Sequence, residues 1–128
     1  MPRRHKDWLK QAKRKLESAR WDIQGGFYED ACFSAQQAAE LAAKALLESQ
    51  GRIEIGHSVQ DLLRKAGVSG AKLLEAGRTL DRYYIPTRYP NSFSSGTPMD
   101  YYDELTAKEA VELAARIIKF VEREVAGV

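Results

Sequence analysis

Ala38-Ala39-Glu40-Leu41-Ala42-Ala43-Lys44-Ala45-Leu46-Leu47 is the stretch that decides the fold. Alanine is the strongest helix former and carries no bulk, so a helix this rich in it lets neighbouring backbones approach closely on more than one side. The pattern predicts a core helix from about Tyr28 to Gln50, stopped by Gly51, in which Leu41, Leu46 and Leu47 carry the larger burial. Upstream, Trp8, Leu9, Ala12, Leu16, Ala19 and Ile23 recur at helical spacing between charged residues, which predicts an amphipathic helix over about residues 4–24 with Gly25-Gly26 as its stop. Downstream, Ser58 is placed to cap a short helix carrying Val59, Leu62, Leu63 and Ala66 and closed by Gly67. A fourth helix is expected from about Ser69 to Tyr84, weakened by Gly70 and Gly77.

A polar loop then runs from Ile85 to Pro98, and Thr97-Pro98 looks like an N-cap followed by proline at the first helical position. Thr106 and Glu109 match a capping box ahead of a last helix built on Ala110, Val111, Leu113, Ala114, Ile117, Ile118, Val121 and Val125. No strand-like alternation of useful length occurs. The expected fold is all-α: an up-and-down, four-helix-bundle-like arrangement of about five helices forming a single domain over 1–128.

With 20 basic and 18 acidic side chains the chain is nearly balanced at +2, which argues against a general nucleic-acid coat and against DNA as partner and leaves room only for local RNA contacts. The lone Cys32 excludes an internal disulfide and a cysteine-built zinc site, and fits a reducing compartment. It is expected to pack as a small hydrophobe. No apolar run approaches the length of a membrane span, so no membrane partner and a soluble, cytoplasmic protein are expected.

Chemistry is expected in two places. Asp81-Arg-Tyr-Tyr-Ile-Pro-Thr-Arg-Tyr-Pro90 crowds three tyrosines, two arginines and two prolines, and Ile85-Pro86 and Tyr89-Pro90 are expected to hold the backbone extended on either side of Arg88. Arg88 and Tyr89 offer a planar cation beside an aromatic face, a pairing suited to phosphate, a base or a partner's carboxylate. Tyr83 and Tyr84 could instead cover the core. The second place is the connection holding Arg52 and His57, where a guanidinium can stabilise a charged phosphorane while an imidazole moves the proton. One histidine cannot readily be acid and base at once, so this chemistry calls for two copies in a symmetric dimer. His5 is read as solvated in the basic N-terminus. Glu40, amid alanines, is expected to pair with a buried Arg or Lys. No metal-ligand pattern joins Glu29-Asp30, Asp61 and Asp81, and no cofactor is implied.

The alanine-rich helix, Gly51, Gly56-His57-Ser58 with Leu62-Leu63, and Tyr84-Ile85-Pro86-Thr87-Arg88-Tyr89-Pro90 together closely resemble a HEPN domain, the higher eukaryotes and prokaryotes nucleotide-binding domain, of the small stand-alone prokaryotic type. The resemblance covers nearly the whole chain, and its Ile-Pro-Thr-Arg-Tyr-Pro segment is the specific part. It implies a helical bundle, commonly a homodimer, with a minimal nucleotidyltransferase as a partner class. Many members are ribonucleases that use an Arg, four to six intervening residues and a His, a spacing met by Arg52 and His57. Active members usually place a polar residue after that Arg, where this chain has Ile53. Toxins silenced by a partner nucleotidyltransferase carry a Tyr two residues after the His, where this chain has Val59. The leading expectation is a nucleotide-binding module with His57, Tyr84, Arg88 and Tyr89 as ligand-binding residues. The alternatives are a metal-independent, toxin-like endoribonuclease with Arg52 and His57 catalytic, and a protein-docking module without ligand.

Overall fold

The computed structural model describes residues 3–128; Met1 and Pro2 of the basic N-terminal segment lie outside the described residues. The helices are α1 (His5–Gln24), α2 (Tyr28–Ser49), α3 (Val59–Lys65), α4 (Ala71–Asp81) and α5 (Glu104–Val125), with 3-10 turns at Pro90–Ser92 and Pro98–Asp100 and no strand among the described residues. The central helix is α2, which packs against each of the other four. Ala31, Ala35, Ala38, Ala39, Ala42, Ala43 and Ala45 are all fully buried, so the small side chains do face neighbours on several sides. On one flank α1 and α5 close a layer with α2; on the other the α3–α4 pair packs on α2 and α5.

Both long N-terminal helices end as the glycines predict. At the end of α2, Gly51 takes φ +75°, a conformation other residues resist, and the Arg52 N–H reaches back to the Leu47 carbonyl at 3.0 Å while the Gly51 N–H meets Glu48 O at 2.9 Å. That pair of bonds turns the chain sharply into the segment that carries His57. Ser58 caps α3, accepting from the Asp61 N–H at 3.1 Å, as its position suggests. Thr97 and Asp100 form a reciprocal capping box around Pro98.

Several boundaries differ from the sequence reading, each for a local reason. The last helix starts one turn before the expected Thr106 cap, because Asp103 accepts the Thr106 N–H at 2.8 Å and serves as N-cap. That bond holds the Asp103 carboxyl below the usual aspartate range. The fourth helix is shorter than expected at both ends. Instead of running extended, the segment after it folds back, with Arg88 N–H bonded to Ile85 O at 3.1 Å across Pro86-Thr87 and Thr87 Oγ1 donating to Tyr83 O at 2.7 Å. Proline at the second position of such a turn has its φ already set. Tyr89, before Pro90, is extended.

Of the two adjacent tyrosines, Tyr83 is core, packed edge-on to Tyr102 with ring centroids 5.9 Å apart, and burial pushes its hydroxyl up to about 12. Cys32 is buried as expected; burial, with Asp103, Glu29 and Glu109 adding to it, pushes its thiol up to about 12.

His5 is not solvated. It is 5% exposed on the inner side of α1, and neither ring nitrogen has a hydrogen-bond partner among the described residues. The apolar period of α1 places residue 5 one turn before Leu9 on the buried stripe, and position on that stripe outweighs the basic neighbours. A buried unpaired polar group costs about 1–3 kcal/mol. His5→Leu is therefore expected to raise stability by about 1 kcal/mol, read as a higher urea midpoint at unchanged slope. A fall in the midpoint would mean that the imidazole has a partner after all.

Candidate functional site

Three elements converge on His57. Its backbone carbonyl accepts from Gln36 Nε2 at 2.9 Å, a contact made by a fully buried side chain of α2. Its ring Nδ1 lies 3.2 Å and 3.3 Å from the two oxygens of Glu40 on the next turn of α2. The ring itself stacks on Tyr84 at 4.4 Å between centroids and 17° between planes. A carboxylate can only accept, so Nδ1 carries the hydrogen and Nε2, which makes no bond among the described residues, is the atom left for a ligand. The imidazole is thus exposed yet held.

Glu40 is 6% exposed and fully engaged: besides His57 it receives Lys44 Nζ at 3.0 Å, Gln36 Nε2 at 3.3 Å and Gln37 Nε2 at 3.4 Å. The expected pairing with a cation is met by Lys44, one turn on along the same helix and partly rather than fully buried. The part missed by sequence reasoning is that Glu40 also orients His57, a contact across 17 residues that no local spacing announces.

What steadies the His57 segment from the other side is Asp81, at the end of α4. Its carboxylate accepts the Ser58 hydroxyl at 2.8 Å, the Val59 N–H at 2.6 Å and the Gln60 N–H at 3.3 Å, covering the first turn of α3. The N–H groups at a helix start have no partner within the helix, and a carboxylate there answers both the missing bonds and the partial positive charge.

Arg88 completes the arrangement. Its guanidinium carbon lies 4.4 Å from the centroid of Phe33, 4.6 Å from that of Tyr84 and 5.2 Å from that of Tyr89, and its Nε donates to the Tyr84 carbonyl at 2.8 Å. No carboxylate lies within ion-pair distance of it among the described residues. A cation fixed by aromatic rings and one carbonyl keeps its terminal N–H groups for an outside acceptor. On its other side Arg88 joins Glu29, Asp30, Thr87, Pro90, Thr97, Pro98 and Met99 in lining an open cleft of about 420 Å³.

The structure therefore brings His57, Tyr84, Arg88 and Tyr89 together and adds Phe33 and Glu40. Arg52 is engaged elsewhere. Its guanidinium donates to the Lys65 carbonyl at the end of α3 and pairs with Glu54 at 3.0 Å, sharing no partner with His57. Ile53 and Ile55 between them are almost completely exposed. No group of three His, Cys, Asp or Glu side chains among the described residues could hold a metal ion, and no described helix is long and apolar enough to cross a membrane.

Comparison with known proteins follows the same lines. The family model of the HEPN domain matches residues 5–124. Among solved structures, the chain is similar to TT1696 from Thermus thermophilus, at 43% identity and TM-score 0.92 over 96% of this chain and 99% of that one. It is similar to ST0689, an archaeal HEPN homologue, at 43% identity and TM-score 0.84 over 97% and 99% of the two chains. A HEPN domain protein from Thermotoga maritima aligns at 33% identity and TM-score 0.77 over 95% and 99%. No curated protein matches the sequence.

Proposed function

Since the chain belongs to the HEPN domain family, we propose that it is a nucleotide-binding member of it, in which Arg88, His57 and Tyr89 receive a nucleotide or an RNA phosphate. The observation that carries this reading is the Arg88 guanidinium, packed over Phe33 and Tyr84 with no carboxylate within ion-pair distance among the described residues. Arg88 contacts phosphate oxygens through its terminal nitrogens, and His57 donates or accepts through Nε2 while Glu40 fixes the ring. Tyr84 already has an imidazole and a guanidinium packed on its ring, so the exposed Tyr89 is the aromatic that takes the base. The module works as a homodimer, for which the exposed Ile53 and Ile55 beside the site are suited surface, and alongside a nucleotidyltransferase, the partner class implied by the family resemblance.

The test is calorimetric titration with uridine and adenosine 5′-monophosphates. Arg88→Lys keeps the charge but not the planar fork, and is expected to weaken binding at least tenfold, about 1.4 kcal/mol. Arg88→Ala is a poorer probe, because it also removes packing over two rings and should lower stability by about 1 kcal/mol. Affinity within twofold of wild type for Arg88→Lys would place the ligand elsewhere.

One observation favours a second reading, a metal-independent endoribonuclease: the Glu40–His57 contact leaves Nε2 available for proton transfer. Cleavage of RNA in EDTA to 2′,3′-cyclic phosphate ends, lost in His57→Ala, would move the conclusion to this reading. The engagement of Arg52 by Glu54 and Lys65 weighs against it.

A further inference from the structure

Charge is distributed unevenly along this nearly neutral chain. Residues 3–24 hold eight of the 20 basic side chains against three of the 18 acidic ones, a local +5; the remaining 12 basic and 15 acidic side chains leave the rest of the chain at −3. Because Leu9, Ala12, Leu16 and Ala19 turn the apolar stripe of α1 into the bundle, the cations are set on its outer side. Lys6 and Lys10 have no ion pair among the described residues, and Arg14 has only a 3.8 Å contact to Glu17 between two exposed side chains. Lys13, by contrast, is turned to α5 and paired with Glu122 at 2.7 Å.

Trp21 stands on the same outer side, two turns beyond Arg14, and is 71% exposed. An open cleft of about 630 Å³ among Lys10, Arg14 and Glu17 runs into one of about 410 Å³ among Arg14, Ser18 and Trp21. From Lys6 to Trp21 this ridge is about 22 Å long at 1.5 Å per residue.

We propose that the outer ridge of α1, with Lys6, Lys10, Arg14 and Trp21, is a contact surface for a single-stranded polynucleotide, separate from the Arg88 site. Under-paired cations spaced along a line follow a phosphate backbone, and an exposed indole at the end of the line gives an unpaired base a face on which to stack. An acidic protein would satisfy the cations but has no need of the bare indole. A membrane surface is disfavoured because the apolar face that would enter it is buried in the bundle. The proposal does not rest on the nucleotide reading of the Arg88 site.

The experiment titrates the full chain with a uridine dodecamer, reading tryptophan fluorescence and the anisotropy of a labelled strand across a salt series. Binding is expected to quench the fluorescence, and the quench is expected to vanish in Trp21→Phe. Lys10→Gln with Arg14→Gln should weaken binding about tenfold and reduce the slope of log affinity against log salt by about 1.4, from about 0.7 per lost phosphate contact. The Trp21-dependent quench should persist in Arg88→Lys even where that variant loses strand contacts at the Arg88 site, which separates failure of the ridge from failure of the Arg88 site. Unaltered affinity in the double variant would overturn the proposal. So would equal binding of a duplex, which offers no unpaired base, or equal competition by polyglutamate, which would make the ridge a surface for acidic proteins.

Discussion

Replacing Gly77 by alanine is expected to lower stability by about 2 kcal/mol, although helix propensity alone would raise it by about 1 kcal/mol. A Cβ at this position would lie 2.9 Å from the Gln60 backbone nitrogen, 3.1 Å from its Cα and 3.3 Å from the Val59 carbonyl carbon. These are main-chain atoms of the first turn of α3, so no flexible side chain can move aside to relieve the contact. Either α3 shifts, which strains its cap, or α4 bends. Chemical denaturation should show a lower midpoint, and for a chain of this size the melting temperature should fall by about 5–10 °C. Gly77→Val should lose more, whereas Gly70→Ala, whose added Cβ meets nothing within 4 Å, should be nearly neutral. If Gly77→Ala were stabilising, the close α3–α4 contact would not exist in solution.

Asp81→Ala is expected to cost about 2–3 kcal/mol. The carboxylate holds the Ser58 hydroxyl and the Val59 and Gln60 N–H groups at once, and charge-assisted bonds of this kind contribute about 1.5–3 kcal/mol each before the loss is moderated by water at a half-buried position. Ser58 remains as a local cap through Asp61 N–H, so α3 should survive with a frayed first turn. Asp81→Asn, which keeps an acceptor oxygen but no charge, should lose about half as much. The functional consequence is larger than the energetic one, because His57 immediately precedes Ser58. With the anchor gone, the imidazole loses its fixed approach to Glu40 and Tyr84, and nucleotide affinity at the Arg88 site should fall along with stability. Hydrogen exchange of the Val59 and Gln60 amides provides the local check: protection that persists in Asp81→Ala would show that these groups are held by something else.

Periodicity makes the bundle legible. Apolar spacing locates all five helices, and glycines after charged or polar turns mark where α1 and α2 stop, since both signals are set by residues within a few positions of each other. Legibility fails where two distant segments decide the outcome. In sequence Gly77 is a weak point in α4, and in the fold it is the place where α3 approaches that helix. Asp81 is an unassigned carboxylate until α3, 21–23 residues away, is brought to it. The basic neighbours of His5 suggest solvent, yet the register of α1 buries it. The local signal points to Thr106 as the cap of the last helix, and the fold uses Asp103. At the candidate site, Tyr84, Arg88 and Tyr89 stand out because proline and aromatic crowding is visible in one short segment. The roles of Phe33, Gln36 and Glu40 do not, because they lie on α2 and reach His57 or Arg88 only through the fold.

Heteronuclear NMR of the His57, Tyr84 and Tyr89 rings during titration with uridine 5′-monophosphate would decide whether these residues form one nucleotide site. The three sets of signals are expected to move together along one saturating curve, with the His57 Nε2 resonance shifting most and the buried His5 ring unmoved. Saturating shifts centred on other residues, with the His57 and Tyr84 rings unchanged, would contradict a nucleotide site at Arg88.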